Sequence, residues 1–231
     1  MPAVEFNAVP LHAEGRETAA VGVIVIQVRT RLLPPRPRSW GLNNHIRNIT
    51  ARYAAAVGGI AVAPDLYRSK VAATADEASH LMNGLDWHQA VKDVKIAIEY
   101  LRTRGVKKVG IVGFCMGGAL AIAAGVHVPE LSAGICFYGI PPAAFASPAD
   151  LKPPMQFHFG SRDKSAGFSD LTAAENLKKA VADAGKDVSE FYIWDADHAF
   201  MNEEAPAYPY NEPVAKQAFA KSVDFFKKHL A

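Results

Sequence analysis

Two kinds of apolar segment alternate along the chain. The first is short, continuous and rich in β-branched residues, at 21–28, 60–63, 109–112, 133–138, 155–159 and 190–194. Runs that stay apolar throughout predict strands buried on both faces, the signature of a parallel sheet. The second kind has helical spacing. Ile46, Ile49 and Tyr53 share one face, and Val91, Val94, Ile98 and Leu101 a second. Leu171, Ala174, Leu177 and Val181 form a third, and Phe219, Val223, Phe226 and Leu230 a fourth. Gly58, Gly105 and Gly185 follow three of these helices, where a left-handed residue would close the last turn.

Strand and helix in this order imply βαβ units with right-handed crossovers. The expected fold class is α/β: a doubly wound, mostly parallel sheet with helices on both faces, formed as one domain over 1–231. Chemistry on such sheets collects at the carboxyl ends of the strands. The stretch from Pro141-Pro142 to Pro153-Pro154 reads as an irregular surface connection. Residues 29–39, Arg-Thr-Arg-Leu-Leu-Pro-Pro-Arg-Pro-Arg-Ser, are too proline-rich for a helix or a central strand.

Composition narrows the classes. A chain of 231 residues suits one α/β domain. Lys+Arg number 25 against 23 Asp+Glu, so charge gives no argument for nucleic-acid binding. Two cysteines make no disulfide framework and suit a reducing compartment. The N-terminus lacks a basic start followed by an apolar run, and no apolar run reaches the roughly 18 residues of a membrane span. A cytoplasmic protein is expected, as a monomer or homodimer.

Within this frame, Gly113-Phe114-Cys115-Met116-Gly117-Gly118 joins a strand ending at Val112 to a helix beginning near Ala119. Gly-x-Cys-x-Gly at a strand-to-helix turn predicts a sharp, strained bend that exposes the central side chain. Glycines there remove Cβ atoms that would collide with backbone. The helix N-terminus favours negative charge on the Cys115 sulfur. The Met116 N–H can supply half of an oxyanion hole, where one donor is worth about 2.7–4 kcal/mol of barrier. The competing reading is a buried structural cysteine in a glycine-rich turn. Cys136, inside Ile135-Cys136-Phe137, reads as core packing.

An elbow nucleophile needs a base, and the base an orienting carboxylate. Asp163 stands in Gly160-Ser161-Arg162-Asp163 after one strand, and His198 in Asp195-Ala196-Asp197-His198 after the next. Nucleophile, acid, histidine is the chain order of this kind of elbow fold. Asp195 and Asp197 read as turn residues, with either a rival to Asp163. His12, His80, His88, His127, His158 and His229 lack the strand-end context. No spacing resembles a metal site or a phosphate loop.

These residues resemble the dienelactone hydrolase family. Gly-Phe-Cys-Met-Gly-Gly at 113–118 is the most specific match. Trp40-Gly-Leu-Asn-Asn-His-Ile-Arg47, Ala63-Pro-Asp-Leu-Tyr67, Gly160 to Asp163 and His198-Ala-Phe200 follow in the family order. The resemblance implies an α/β-hydrolase fold and a Cys115–Asp163–His198 triad. It also implies a small-molecule ester or lactone as substrate, and no cofactor. Family members carry a Glu after the first long strand that contacts the nucleophilic Cys, and the same loop supplies the second oxyanion donor. Here Ile26-Gln27 runs into 29–39, and no Glu occurs between Glu17 and Glu77. Arginines that hold a substrate carboxylate in dienelactone-cleaving members are missing from 71–86 and from His198-Ala-Phe-Met-Asn202.

Three readings of 29–39 stay open: an exposed loop, a sequence irregularity that displaces the Glu, or an anion site of Arg29, Arg31, Arg36 and Arg38. The expected activity is hydrolysis of a carboxylic ester or lactone through an acyl-thioester. Alternatives are a thioesterase or acyl-transfer enzyme on the same residues, and a non-catalytic small-molecule-binding or interaction protein.

Overall fold

The structure is a computed structural model that describes residues 6–9, 21–28, 44–64, 66, 85–186, 189–203 and 209–231, with backbone alone at 6–9, 21–28 and 44. Residues 29–39 and 67–84 lie outside the described residues, so the three readings of the first and the missing arginines of the second stay as expectations. The strands are β1 (Phe6–Val9), β2 (Val21–Val28), β3 (Ile60–Pro64), β4 (Lys108–Cys115), β5 (Ala133–Phe137), β6 (Met155–Gly160) and β7 (Glu190–Trp194). The helices are α1 (Asn44–Val57), α2 (Trp87–Thr103), α3 (Met116–His127), α4 (Leu171–Asp183) and α5 (Glu212–Leu230).

One sheet runs in the order β1-β3-β2-β4-β5-β6-β7. Only β1 is antiparallel to its neighbour; every other pair is parallel. The apolar faces decide where the helices go. α1 and α5 pack together on one side, where Tyr53 of α1 sits fully buried against the Phe219 and Phe226 rings of α5. The Tyr53 hydroxyl bonds Ser222 Oγ at 2.8 Å, and Ser222 in turn donates to the Phe219 carbonyl, so a buried polar tip is satisfied. α2 and α3 pack on each other, with α3 laid along β4 and β5. This is the α/β architecture expected. Chain order reverses across the sheet on either side of β2, which makes the carboxyl ends of β2 and β4 a switch point where ligands bind.

The glycine caps stand as expected: Gly58, Gly105 and Gly185 have φ of 67°, 82° and 68°. Four details differ from expectation. β1 went unrecognised because Phe-Asn-Ala-Val is a single short edge strand with no apolar run. β4 continues to Cys115 and α3 starts at Met116, not near Ala119. Poor helix propensity at Gly117 and Gly118 hid that start. β7 is an edge strand and only partly buried, with Ile193 39% exposed. The connection after β5 carries a 3₁₀ turn, Pro148–Asp150, and buries Ala146 and Leu151.

Candidate active site

Cys115 is both the last residue of β4 and the residue before the first turn of α3, at φ 57° and ψ −122°. A non-glycine residue reaches that region only where the surroundings impose it. The surroundings here are backbone. A Cβ on Gly113 would lie 1.8 Å from the Gly117 carbonyl oxygen, and one on Gly139 would lie 2.0 Å from the Cys115 carbonyl oxygen. Both positions must be glycine for β4, α3 and the loop after β5 to close on one another. Met116 is the first residue of α3, so its N–H has no acceptor within the helix. β2 ends with Val28 opposite Cys115.

Asp163 and His198 stand on loops after neighbouring strands. His198 Nε2 lies 3.3 Å from Cys115 Sγ, and His198 Nδ1–H donates to Asp163 Oδ2 at 2.6 Å. A carboxylate only accepts, which fixes the proton on Nδ1 and leaves Nε2 facing sulfur. All three residues are buried. The four sequence-derived residues Cys115, Met116, Asp163 and His198 are therefore adjacent. Asp195 and Asp197 face the other way: both pair with Arg162, Asp197 at 3.3 Å from Nε, and neither meets the imidazole. Of these three carboxylates, Asp163 is the one that meets the imidazole.

Arg162 also donates to the Asp195 carbonyl, and its own N–H to the Ala196 carbonyl, so the two loops are tied beside Asp163 and His198. Sequence reasoning gave Arg162 no part. It also missed Ser169, fully buried before α4, whose hydroxyl donates to Asp163 Oδ2 at 2.7 Å and lies 3.1 Å from His198 Nδ1. A serine in a loop carries no signal of this kind. The Ser165 N–H donates to the other oxygen, Asp163 Oδ1.

These contacts set the charges. Burial works against the Asp163 carboxylate, but the hydrogen bond and charge of His198, with Ser165 and Ser169, hold it below the ordinary carboxylate range. Burial likewise works against a charged His198. Its hydrogen bonds to Asp163 and Cys115 outweigh that and raise it to about 10. Cys136 is different in kind: its thiol donates to the Gly139 carbonyl, and burial pushes it up to about 12. It lies within the core, as expected. His158 is a buried core histidine of β6, lowered to about 3 by burial.

A cleft of about 780 Å³ opens next to the elbow and is lined by Met116 and Phe168, without including the sulfur itself. The Phe168 ring centroid is 6.4 Å from that of His198. Among the described residues, no group of three or more His, Cys, Asp or Glu could hold a metal ion, and no helix is long and apolar enough to cross a membrane.

Comparison with known proteins agrees with this picture. The model of the dienelactone hydrolase family matches residues 36–230. Protein usf of Aquifex pyrophilus is 32% identical over 83% of this chain and 85% of its own length. A protein of Aquifex aeolicus named "Putative carboxymethylenebutenolidase" is 30% identical over 83% of this chain and 85% of its own. Among solved structures, one named "Putative Dienelactone Hydrolase" from Klebsiella pneumoniae superposes with a TM-score of 0.74 at 20% identity, over 97% of this chain and 99% of that one. At that identity the likeness speaks for the fold.

Proposed function

Because this chain belongs to the dienelactone hydrolase family, we propose that it is a cysteine-dependent hydrolase of carboxylic esters or lactones, acting as one domain through Cys115, His198 and Asp163. The observation that carries the reading is the line of contacts from Cys115 Sγ to His198 Nε2 at 3.3 Å and from His198 Nδ1 to Asp163 Oδ2 at 2.6 Å.

Cys115 Sγ attacks the carbonyl carbon, and His198 Nε2 takes the thiol proton. The raised pKa of His198 favours that transfer. The carbonyl electrons move onto oxygen, where the Met116 N–H and the N-terminus of α3 meet the developing charge. The tetrahedral intermediate collapses: the carbon–oxygen ester bond breaks, and His198 returns its proton to the leaving alkoxide. Water then gives a proton to His198 and its oxygen to the acyl carbon. The carbon–sulfur bond breaks, and the free acid and the Cys115 thiol are restored. Asp163 holds the imidazole in its Nδ1–H tautomer and offsets its charge throughout.

Steady-state hydrolysis of p-nitrophenyl acetate tests the reading. Cys115→Ala and His198→Ala are each expected to abolish turnover above the uncatalysed rate. Near-normal turnover in Cys115→Ala would remove the nucleophile and the proposal with it.

A further inference from the structure

The cleft beside the elbow has a chemistry of its own. Its volume of about 780 Å³ lies within the range of small-molecule sites. One wall is a single face of α4: Thr172, Ala173, Asn176, Leu177 and Ala180 all line it. From Thr172 to Ala180 that face runs about 12 Å at ~1.5 Å per residue. The opposite wall comes from the connection after β5, with Ile140, Pro141, Pro142 and Ala146, and Trp87 of α2 also lines it. The lining is thus mainly aliphatic, prolyl and aromatic, with Thr172 and Asn176 as uncharged polar side chains. Among the described residues that line it, Asp170 is the one charged side chain, and its charge is negative. One Asp170 oxygen already accepts the Gly167 N–H at 2.7 Å.

The near end of this cleft belongs to the reaction site. Met116 and Phe168 line it; Met116 follows the nucleophile in the chain, and Phe168 packs beside His198. A group attached to the carbonyl carbon under attack by Cys115 therefore has the cleft beside it. An extended chain covers ~1.2 Å per bond, so 12 Å accommodates about ten carbons.

We propose that this cleft is the acyl-chain site of the enzyme, selecting esters of uncharged, medium-length aliphatic acids and rejecting acyl groups that carry a terminal carboxylate. The inference rests on the hydrolase reading and adds the substrate class. An aliphatic chain gains from each methylene it removes from water, while a carboxylate carried along the cleft toward Ala180 loses hydration between largely apolar walls, in a cleft whose one charged lining side chain among the described residues, Asp170 near its entrance, is also negative.

Two measurements test it. In the first, kcat/KM is determined for p-nitrophenyl esters from acetate to tetradecanoate, together with the p-nitrophenyl monoester of suberic acid. It is expected to rise about threefold per methylene and level off near decanoate, with the suberate monoester at least tenfold below octanoate. Ala180→Trp, placed at the far end of the α4 face, is expected to lower the octanoate-to-acetate ratio at least tenfold. A flat chain-length profile, equal rates for suberate monoester and octanoate, or an unchanged ratio in Ala180→Trp would overturn the proposal.

The second measurement needs no turnover. Octan-1-ol has no bond to hydrolyse, and it is expected to raise the Tm of the wild-type protein but not that of Ala180→Trp. If esters are cleaved while octan-1-ol raises neither Tm and the profile is flat, the cleft assignment falls and the hydrolase reading stands. If octan-1-ol stabilises only the wild type while no ester is cleaved, the hydrolase reading falls, and with it the acyl-site role.

Discussion

Ser169 and His198 share one oxygen: the Ser169 hydroxyl donates to Asp163 Oδ2 at 2.7 Å, and His198 Nδ1–H reaches the same atom at 2.6 Å. Two donors on one carboxylate oxygen keep the acid ionised and fix its plane relative to the imidazole. Ser169→Ala removes one buried hydrogen bond to a charged group, a loss of about 1.5–3 kcal/mol if all of it is felt. The expected outcome is a fall in kcat of about tenfold with little change in KM. Because the Ser169 hydrogen bond lowers the Asp163 pKa, its loss lets that pKa rise. The acid limb of the kcat/KM profile should therefore move to higher pH.

The opposite limb belongs to His198. Its folded pKa is raised to about 10, and Asp163 contributes to the rise. Activity that needs the imidazolium as proton donor should persist well above neutral pH and decline as pH passes through about 10. Asp163→Asn removes a raising contribution, so the decline should begin at lower pH, alongside a rate loss of very roughly 10⁴-fold by analogy with a serine-protease triad. A pH-stat assay on phenyl acetate measures both.

Arg162 ties the loops that carry the acid and the base. Its guanidinium is about half exposed, so its ion pairs with Asp195 and Asp197 contribute little to stability. Arg162→Ala should change the free energy of unfolding by less than about 1 kcal/mol in urea denaturation. It should nevertheless lower kcat several-fold, because the relative placement of Asp163 and His198 relaxes. Equal activity in the variant would show that the loops hold their geometry without it.

His158 gives the structure its own pH dependence. Trp194 Nε1–H donates to His158 Nδ1 at 3.1 Å, and His158 Nε2 bonds Gln156 Oε1 at 2.7 Å, so the ring is a satisfied neutral group stacked on Phe137. Its folded pKa is lowered to about 3 by burial. The unfolded chain therefore takes up a proton near pH 6.5 that the folded chain refuses, and stability falls as pH drops from about 6.5 toward 3, by an amount on the order of several kcal/mol. His158→Phe should flatten this fall. At pH 7 it should cost about 1–3 kcal/mol, because it strips the buried Gln156 oxygen of its donor. Urea denaturation at a series of pH values reads both effects.

Much of this arrangement is legible in the sequence, and the reasons are local. The parallel sheet shows because β5 is buried throughout and β4 from Val109 onward, which forces continuous apolar runs. The elbow shows because backbone contacts at Gly113 leave no room for a Cβ, so the motif is written in glycine. Asp163 and His198 could be picked out because each follows a recognisable strand, yet only the folded chain separates Asp163 from Asp195 and Asp197. Ser169 and Arg162 were not legible. Their roles depend on hydrogen bonds between residues 6 to 35 positions apart, and no periodicity or composition encodes those. The cleft was hidden for the same reason, since its two walls lie in the connection after β5 and on α4.

The central claim is that an acyl group resides on one particular sulfur during turnover. Rapid acid quench of the enzyme with p-nitrophenyl acetate, followed by peptide mass spectrometry, reads that directly. The account predicts an acetyl thioester on the peptide containing Cys115 and none on the one containing Cys136, with the adduct absent in His198→Ala at the same time point. Acetylation of any other residue at the turnover rate, or turnover by Cys115→Ala, would contradict it.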